Sequence, residues 1–517
     1  MPLACSRLVI AVLTLLTPPA AWAAALIHSG NVQGELEPCG CRENPLGGLL
    51  RRAEWLERNQ SQGPFLQVDA GDLLFASLPV DPDLRPQAEI QAEALLKILK
   101  LQGLDAATPG EKDFALGVSA FQKLTRNSGI AFLAANLQVR RTGKPLLPAS
   151  QVFSFPGRNG KQVRTAVIGV VSPQLKWPDS LRATPALPAI QAEMKRLRKK
   201  ADQFLILSHL EPEEASLLAK QLPGVKWIVN AHSTSANEES TAVPSGPDLS
   251  GPWILQASYR NRHLGVWTDP TGHKNIPLSP EWDRPIPEGP LTKPTFLAIQ
   301  NFKNQLALLE TQPPRITPIS QKRASHSFQT FVRCVDCHET QASFWLSTRH
   351  AQAYEALHGR GQAFNRECLE CHSVGLGVPG AFERPTEPGR LRKPPSTEPW
   401  AVEDIRTFLK DLTEPEKEAA PTPKGVRLRR QDPALPEAQA VAQVDRLWVS
   451  VQCENCHGPA GDHPFGATGA LIRPSTSTCF KCHTPEQAPK WYKADGKPDA
   501  ERLAAQVKAM SCPASTH

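Results

Sequence analysis

Apolar and polar positions along the chain follow two rhythms. The runs "FLQVDAGD" (65–72), "TAVIGVVSP" (165–173), "QFLILSHL" (203–210) and "KWIVNAHS" (226–233) are short, apolar and closed by polar residues, which predicts buried strands. Between and around them, 44–60, 87–102, 188–200 and 211–221 repeat apolar residues at helical spacing. Strands alternating with helices predict an α/β domain, and in such domains polar residues gathered at strand ends are where sites are built. Asp69, Asp72, His209 and His232 hold those positions.

After residue 275 the rhythm is lost. Residues 276–325 are rich in proline and polar residues and read as a linker with a short helix near 295–309. Residues 326–517 read as a second, mostly α-helical and loop-rich domain. Within it Phe344, Ala351, Tyr354 and Leu357 fall at helical spacing, which predicts one helix running through His350. Residues 376–447 form a Pro-rich, charged insertion with a helix expected over 400–412.

Composition sharpens this picture in three ways. The chain has 517 residues, more than one hydrophobic core usually serves, so at least two domains are expected. It opens with Arg7, an apolar run over 8–16 and the small-residue triplet Ala21-Trp22-Ala23, the pattern of a secretory signal peptide cut after Ala23. That run is too short to span a bilayer and no later stretch is long enough, so an exported protein without a membrane helix is expected, in the periplasm or outside the cell. The formal charge of +7 comes from basic residues spread through loops rather than interleaved with aromatics, which argues against nucleic-acid binding and suits an acidic redox partner or a solvated surface.

Of the twelve cysteines, eight form four pairs, each followed directly by histidine: Cys334-Val-Asp-Cys337-His338, Cys368-Leu-Glu-Cys371-His372, Cys453-Glu-Asn-Cys456-His457 and Cys479-Phe-Lys-Cys482-His483. Two thiols at this spacing can add to the two vinyl groups of one haem, and the adjacent histidine reaches the iron as proximal ligand. Two four-cysteine zinc sites would use the same thiols but leave the four histidines unexplained. Four covalently bound haems c are therefore expected. Sixth ligands must come from the remaining histidines: His350 and His463 are the best placed, His326 and His358 further candidates, and His517 the last of the set.

These motifs with their flanks, "CVDCHETQASFWLSTRHAQAYEAL", "CLECHSVGLG", "VQCENCHGPAGDH" and "CFKCHTPEQAPKW", resemble the cytochrome c-554 family of tetrahaem electron carriers over 326–495. The resemblance implies closely stacked haems, mostly with two histidine ligands, and in some members one five-coordinate haem. The insertion between His372 and Cys453 departs from it.

The first region resembles the calcineurin-like metallophosphoesterases, in particular the catalytic domain of secreted 5'-nucleotidases, over 26–275. The matching stretches are "LIHSGNVQGELEPC", "GGLLRRAEWL", "VDAGDLL", "PGEKDFALG", "FLAANL", "LILSHL", "VNAHS" and "ILQASYRNRHLGVW". The resemblance implies a two-sheet α/β sandwich with a dinuclear metal site that activates water and clamps a phosphoryl group. Asp72 stands where the family has its bridging aspartate, and His209 and His232 match two metal-binding histidines. Asn31 and Gln33 replace an Asp-x-His pair, Glu111 an asparagine ligand, Lys112 the catalytic histidine and Thr234 the last histidine ligand. Amides bind divalent ions weakly and Lys112 brings positive charge toward them, so two-metal hydrolysis is not expected. One divalent ion on Asp72, His209, His232 and Glu111 is the alternative to strand-end residues kept for shape.

Cys39 and Cys41 flank the altered loop, separated by one residue, too close for an unstrained disulfide. They read as free thiols, as soft metal ligands for copper or zinc, or as partners of Cys512. The expected whole is a signal peptide (1–23), a metallophosphoesterase-like domain (24–275), a linker (276–325) and a tetrahaem domain (326–517) exchanging electrons with a redox protein or a small molecule. Two other readings remain: a redox enzyme acting on a small nitrogen or sulfur species at an open haem, and a metal-dependent phosphohydrolase carrying a cytochrome.

Overall fold

The computed structural model describes residues 25–38, 46–60, 64–156, 161–232, 239–245, 251–268, 272–283, 287–311, 328–376 and 448–513, apart from 336, 462, 464–471, 486 and 494. The signal peptide, Cys39, Cys41, Thr234, His326, His517 and the insertion, with its helix over 400–412, lie outside the described residues.

Two six-stranded sheets form the first region. In chain order its strands are β1 (Ala25–Ser29), β2 (Phe65–Asp69), β3 (Ala106–Ala107), β4 (Ala131–Phe132), β5 (Leu137–Val139), β6 (Ser150–Pro156), β7 (Gln162–Val171), β8 (Leu181–Ala183), β9 (Gln203–His209), β10 (Trp227–Ala231), β11 (Thr241–Pro244), β12 (Trp253–Gln256), β13 (His263–Thr268) and β14 (Gly272–Pro277). One sheet runs β14-β13-β1-β2-β3-β4 and the other β11-β12-β10-β9-β7-β6, with β5 and β8 as a separate pair.

The strands are apolar on both faces because both faces are covered. Val167, Leu205, Leu207 and Val229 of the second sheet pack with Leu26, Leu66 and Val68 of the first. The alternate residues Ile168, Val170, Ile206 and Ile228 turn outward beneath helices α4 (Ala186–Leu197) and α5 (Pro212–Ala219). The other outer face is covered by α1 (Leu49–Arg58), α2 (Arg85–Leu101), α3 (Val118–Arg126) and α6 (Thr292–Thr311). This is the expected α/β sandwich, layered helix–sheet–sheet–helix.

Three expectations need correction. The segment read as a linker carries α6, whose Ile299, Phe302 and Leu306 are buried in the same core as Leu95 and Leu99 of α2. Glu57 of α1 anchors its start by accepting from the Thr292 amide at 2.7 Å, so the helix completes the first domain rather than joining two. The helix expected over 44–60 begins only at Leu49, after Gly47 and Gly48 at φ 102° and 99°.

The single helix through His350 is two helices, α8 (Glu339–Leu346) and α9 (Ala353–His358). The Ser347 and Thr348 hydroxyls donate to the Phe344 and Trp345 carbonyls at 2.7 Å each, drawing the last carbonyls of α8 away from a continuing ladder. His350 therefore stands in the turn between them.

In the second region, α7 (Thr330–Val335), α8, α9 and α10 (Arg366–His372) pack around Phe331, Trp345, Leu346, Tyr354 and Leu369, with Val449 closing the cluster. Two shorter pieces, α11 (Cys453–His457) and α12 (Thr476–Cys479), and a longer helix, α13 (Ala500–Met510), follow. The regions meet along α10: Gln87 of α2 donates to Asn365 at 2.8 Å and accepts from the Arg366 amide at 3.0 Å, and Lys303 of α6 bridges Glu37 and the Arg360 carbonyl at 2.8 Å each.

Candidate functional site

Each C-x-x-C-H motif is one helical turn, or the end of one. Cys334 ends α7, α10 holds Cys368, Cys371 and His372, α11 holds Cys453, Cys456 and His457, and α12 ends at Cys479. The His338 and His483 amides donate to the carbonyls of Cys334 and Cys479 at 2.9 Å, so positions i, i+3 and i+4 share a face. Both thiols and the imidazole of a motif thus point the same way.

The second imidazoles come from far along the chain. The rings of His338 and His463 lie 6.4 Å apart, centroid to centroid, at an interplanar angle of 19°. Those of His350 and His483 lie 6.1 Å apart at 61°. A metal–imidazole bond of about 2 Å on each side of an iron, plus the ring radii, requires roughly 6 Å. Burial and the neighbouring His350 lower His483 to about 4, and burial lowers His350 and His372, a direction that favours the neutral form, which binds metal. His372 and His457 aim Nδ1 at the carbonyls of Ala353 (2.5 Å) and Ile472 (3.2 Å), which frees Nε2. Neither ring faces another imidazole among the described residues. The His358 side chain lies outside them.

The motifs do not sit in chain order. The Cys334 side chain lies beside that of Cys453, and Cys371 beside Cys482, so the first motif neighbours the third and the second neighbours the fourth. Glu454, unremarked in the sequence because its position within the motif is variable, accepts from the Thr330 and Ala460 amides at 2.7 Å each and clamps the third motif to the first.

The second candidate site lies where β1, β2, β9 and β10 end at one edge. Register aligns them: Ser29 is opposite Asp69, and Ala231 opposite His209. Asn31, Gln33, Asp72 and His232 all have positive φ, between 51° and 80°, a conformation non-glycine residues hold only where the surroundings enforce it. Gly110 is required by space: a Cβ there would stand 2.1 Å from the Asp72 carboxylate and 2.8 Å from the His209 ring.

Asp72 is fully buried, and its partner is an ammonium: Lys112 Nζ lies 2.7 Å from Oδ2 while the Lys112 amide donates to Oδ1 at 3.2 Å. Burial disfavours that ammonium, but the Asp72 carboxylate outweighs it and raises Lys112. Beside the pair, His209 Nε2 lies 3.2 Å from Glu111 Oε2 and 3.6 Å from Asp72 Oδ1. Burial alone would lower His209; Asp72 and Glu111 raise it instead to about 9.

Asn31 does not offer itself as a ligand, since its Oδ1 accepts from the His232 amide at 3.3 Å. Gln33 lines a cavity with Leu74, Phe75, Gln91 and Glu367, the last one residue before Cys368. The residues present therefore do not fit a two-metal centre. Two carboxylates escaped sequence reading because their roles are through-space: Asp113, which accepts from the Leu74 and Gly110 amides at 2.7 and 2.8 Å, and Glu211, 3.3 Å from His232 Nδ1.

Residues 333–392 match the family model described as cytochrome c554 and c-prime. This segment is similar to a c-type cytochrome. The first region has likenesses of a different kind. Over 261 residues, 45% of this chain, it is 23% identical to endonuclease YhcR of Bacillus subtilis, of which it spans only 20%.

Among solved structures, the calcineurin-like phosphoesterase YfkN of Bacillus subtilis is 15% identical with a TM-score of 0.44, over 54% of this chain and 98% of that one. The 5'-nucleotidase precursor of Thermus thermophilus is 20% identical with a TM-score of 0.44, over 56% and 60%. The sulfate thiohydrolase SoxB of the same organism is 17% identical with a TM-score of 0.45, over 57% and 63%. No helix among the described residues is long and apolar enough to cross a membrane.

Proposed function

We propose that this chain is an exported c-type cytochrome that binds four haems covalently and transfers electrons, joined to a phosphoesterase-like domain that does not hydrolyse phosphate esters. The observation that carries the reading is the pairing of two motif histidines, His338 and His483, with second imidazoles, His463 and His350, at the separation one iron requires. Haem supplies a one-electron iron couple. The chain's part is to hold it: thiols from each motif anchor, backbone carbonyls orient His372 and His457, and Trp491, stacked on His483 at 4.2 Å, fixes that ring. The contacts between motifs support an order of first, third, fourth and second rather than chain order, since Cys456 also feels Cys479 and Cys482 of the fourth motif. The electrons would be exchanged with a redox protein or a small-molecule donor or acceptor.

Optical and EPR spectra of the mature, haem-loaded protein, with and without CO after reduction, test this. Low-spin signals indifferent to CO support a relay. A high-spin haem that binds CO supports the second reading, a redox enzyme with an open iron position at His372 or His457, the two motif histidines that face no described imidazole. Phosphodiesterase and nucleotidase assays with added manganese or zinc are expected to give no turnover, because Lys112 holds Asp72.

A further inference from the structure

The strand-end cluster of the first domain retains ligand atoms as well as shape. Glu111, His209 and His232 each offer one within 4.8 Å of the others. His209 is oriented as metal ligands are, its Nδ1 held by the Ala70 carbonyl at 2.9 Å, while His232 Nδ1 lies 3.3 Å from Glu211 Oε1 without a hydrogen bond; both Nε2 atoms lie toward Glu111, at 3.2 and 3.9 Å. Glu111 stands at the head of the short turn that Asp113 fixes by accepting from the Gly110 amide at 2.8 Å, and its carboxylate lies 3.2 Å from His209 Nε2.

We propose that Glu111, His209 and His232 hold a single divalent transition-metal ion, and that the Lys112 ammonium bound to Asp72 replaces the second ion of a two-metal centre. A tethered +1 charge at 2.7 Å satisfies a buried carboxylate that would otherwise require a cation. A second ion placed there would meet that ammonium, with Asn31 already committed to His232. Two imidazoles and one carboxylate suit zinc, iron(II), cobalt or manganese rather than calcium or magnesium, which want oxygen ligands. Three protein ligands leave room for water or a small anion. The inference shares with the functional reading the loss of a two-metal centre; ion counting tests the site and phosphatase assays test hydrolysis, so the two fail separately.

The test is equilibrium dialysis of the untagged, chelator-treated, haem-loaded full chain against zinc chloride, with zinc per chain read by elemental analysis, where haem iron does not interfere. One zinc per chain is expected. Glu111→Gln, which keeps the side-chain shape, and His232→Ala are expected to weaken binding by at least ~10-fold. An unchanged haem spectrum and thermal melt in Glu111→Gln separate lost ligation from lost folding. No bound zinc, two bound zincs, or unchanged affinity in Glu111→Gln would overturn the proposal.

Discussion

The two candidate sites of this chain are built on opposite plans. At the haem motifs, two thiols and an imidazole are contributed by five consecutive residues, and a single helical turn suffices to align them. At the strand-end site the groups come from four separate places in the chain: Asp72 after β2, Glu111 and Lys112 after β3, His209 from β9 and His232 after β10. A local site keeps its chemistry wherever its turn is kept. A distributed site can lose a ligand at one strand end while the sheet register, set by the apolar core, is untouched. Here both sheets are formed and the Lys112 ammonium lies 2.7 Å from the buried Asp72 carboxylate.

The sharpest way to break the contrast is at a motif. Cys368→Ser with Cys371→Ser is expected to remove one haem of the four expected from the motifs, read as a quarter of the haem absorbance, with the first domain still folded. His463→Ala tests the paired imidazoles: haem content should hold while one low-spin signal becomes high-spin and CO-reactive. A spectrum identical to the parent would dissolve the His338–His463 pairing.

Smaller effects belong to the distributed site and its sheet. Lys112→Met removes the nearest counter-charge of buried Asp72, leaving His209 at 3.6 Å, and should cost about 3 kcal/mol in urea denaturation, an amount added zinc does not fully restore. His28, buried against His273 at 3.3 Å, is held down to about 3, chiefly by burial and secondarily by His273. Its folded value lies below the unfolded 6.5, so the unfolded chain takes up the proton first. The stability it contributes is complete above 6.5 and is lost as pH falls toward 3, and His28→Gln should flatten that acid limb of the denaturation profile. Least of all, Gln87→Ala strips Asn365 and the Arg366 amide of a partner between the two regions and should cost about 1–2 kcal/mol.

How much was legible follows the same division. The predicted strands 65–72, 165–173, 203–210 and 226–233 contain β2, β7's end, β9 and β10, because apolar runs closed by polar residues depend only on neighbours in the chain. The extent of α6 was not legible as part of the first domain, since its apolar stripe packs with α2 and α1, which lie far earlier in the chain, Glu57 of α1 being 235 residues before Thr292. The break at His350 was missed because spacing alone does not register two hydroxyls that end a helix.

By itself, then, the amino-acid sequence determined the class of each region, the four C-x-x-C-H motifs and the residues at the strand ends, all matters of local spacing and residue type. Only the tertiary structure decided which motifs neighbour one another, which imidazole faces which, and that the Lys112 ammonium turns onto Asp72. Those outcomes depend on distances between residues remote in the chain, set when apolar faces are buried together, and no periodicity along the chain encodes such a distance.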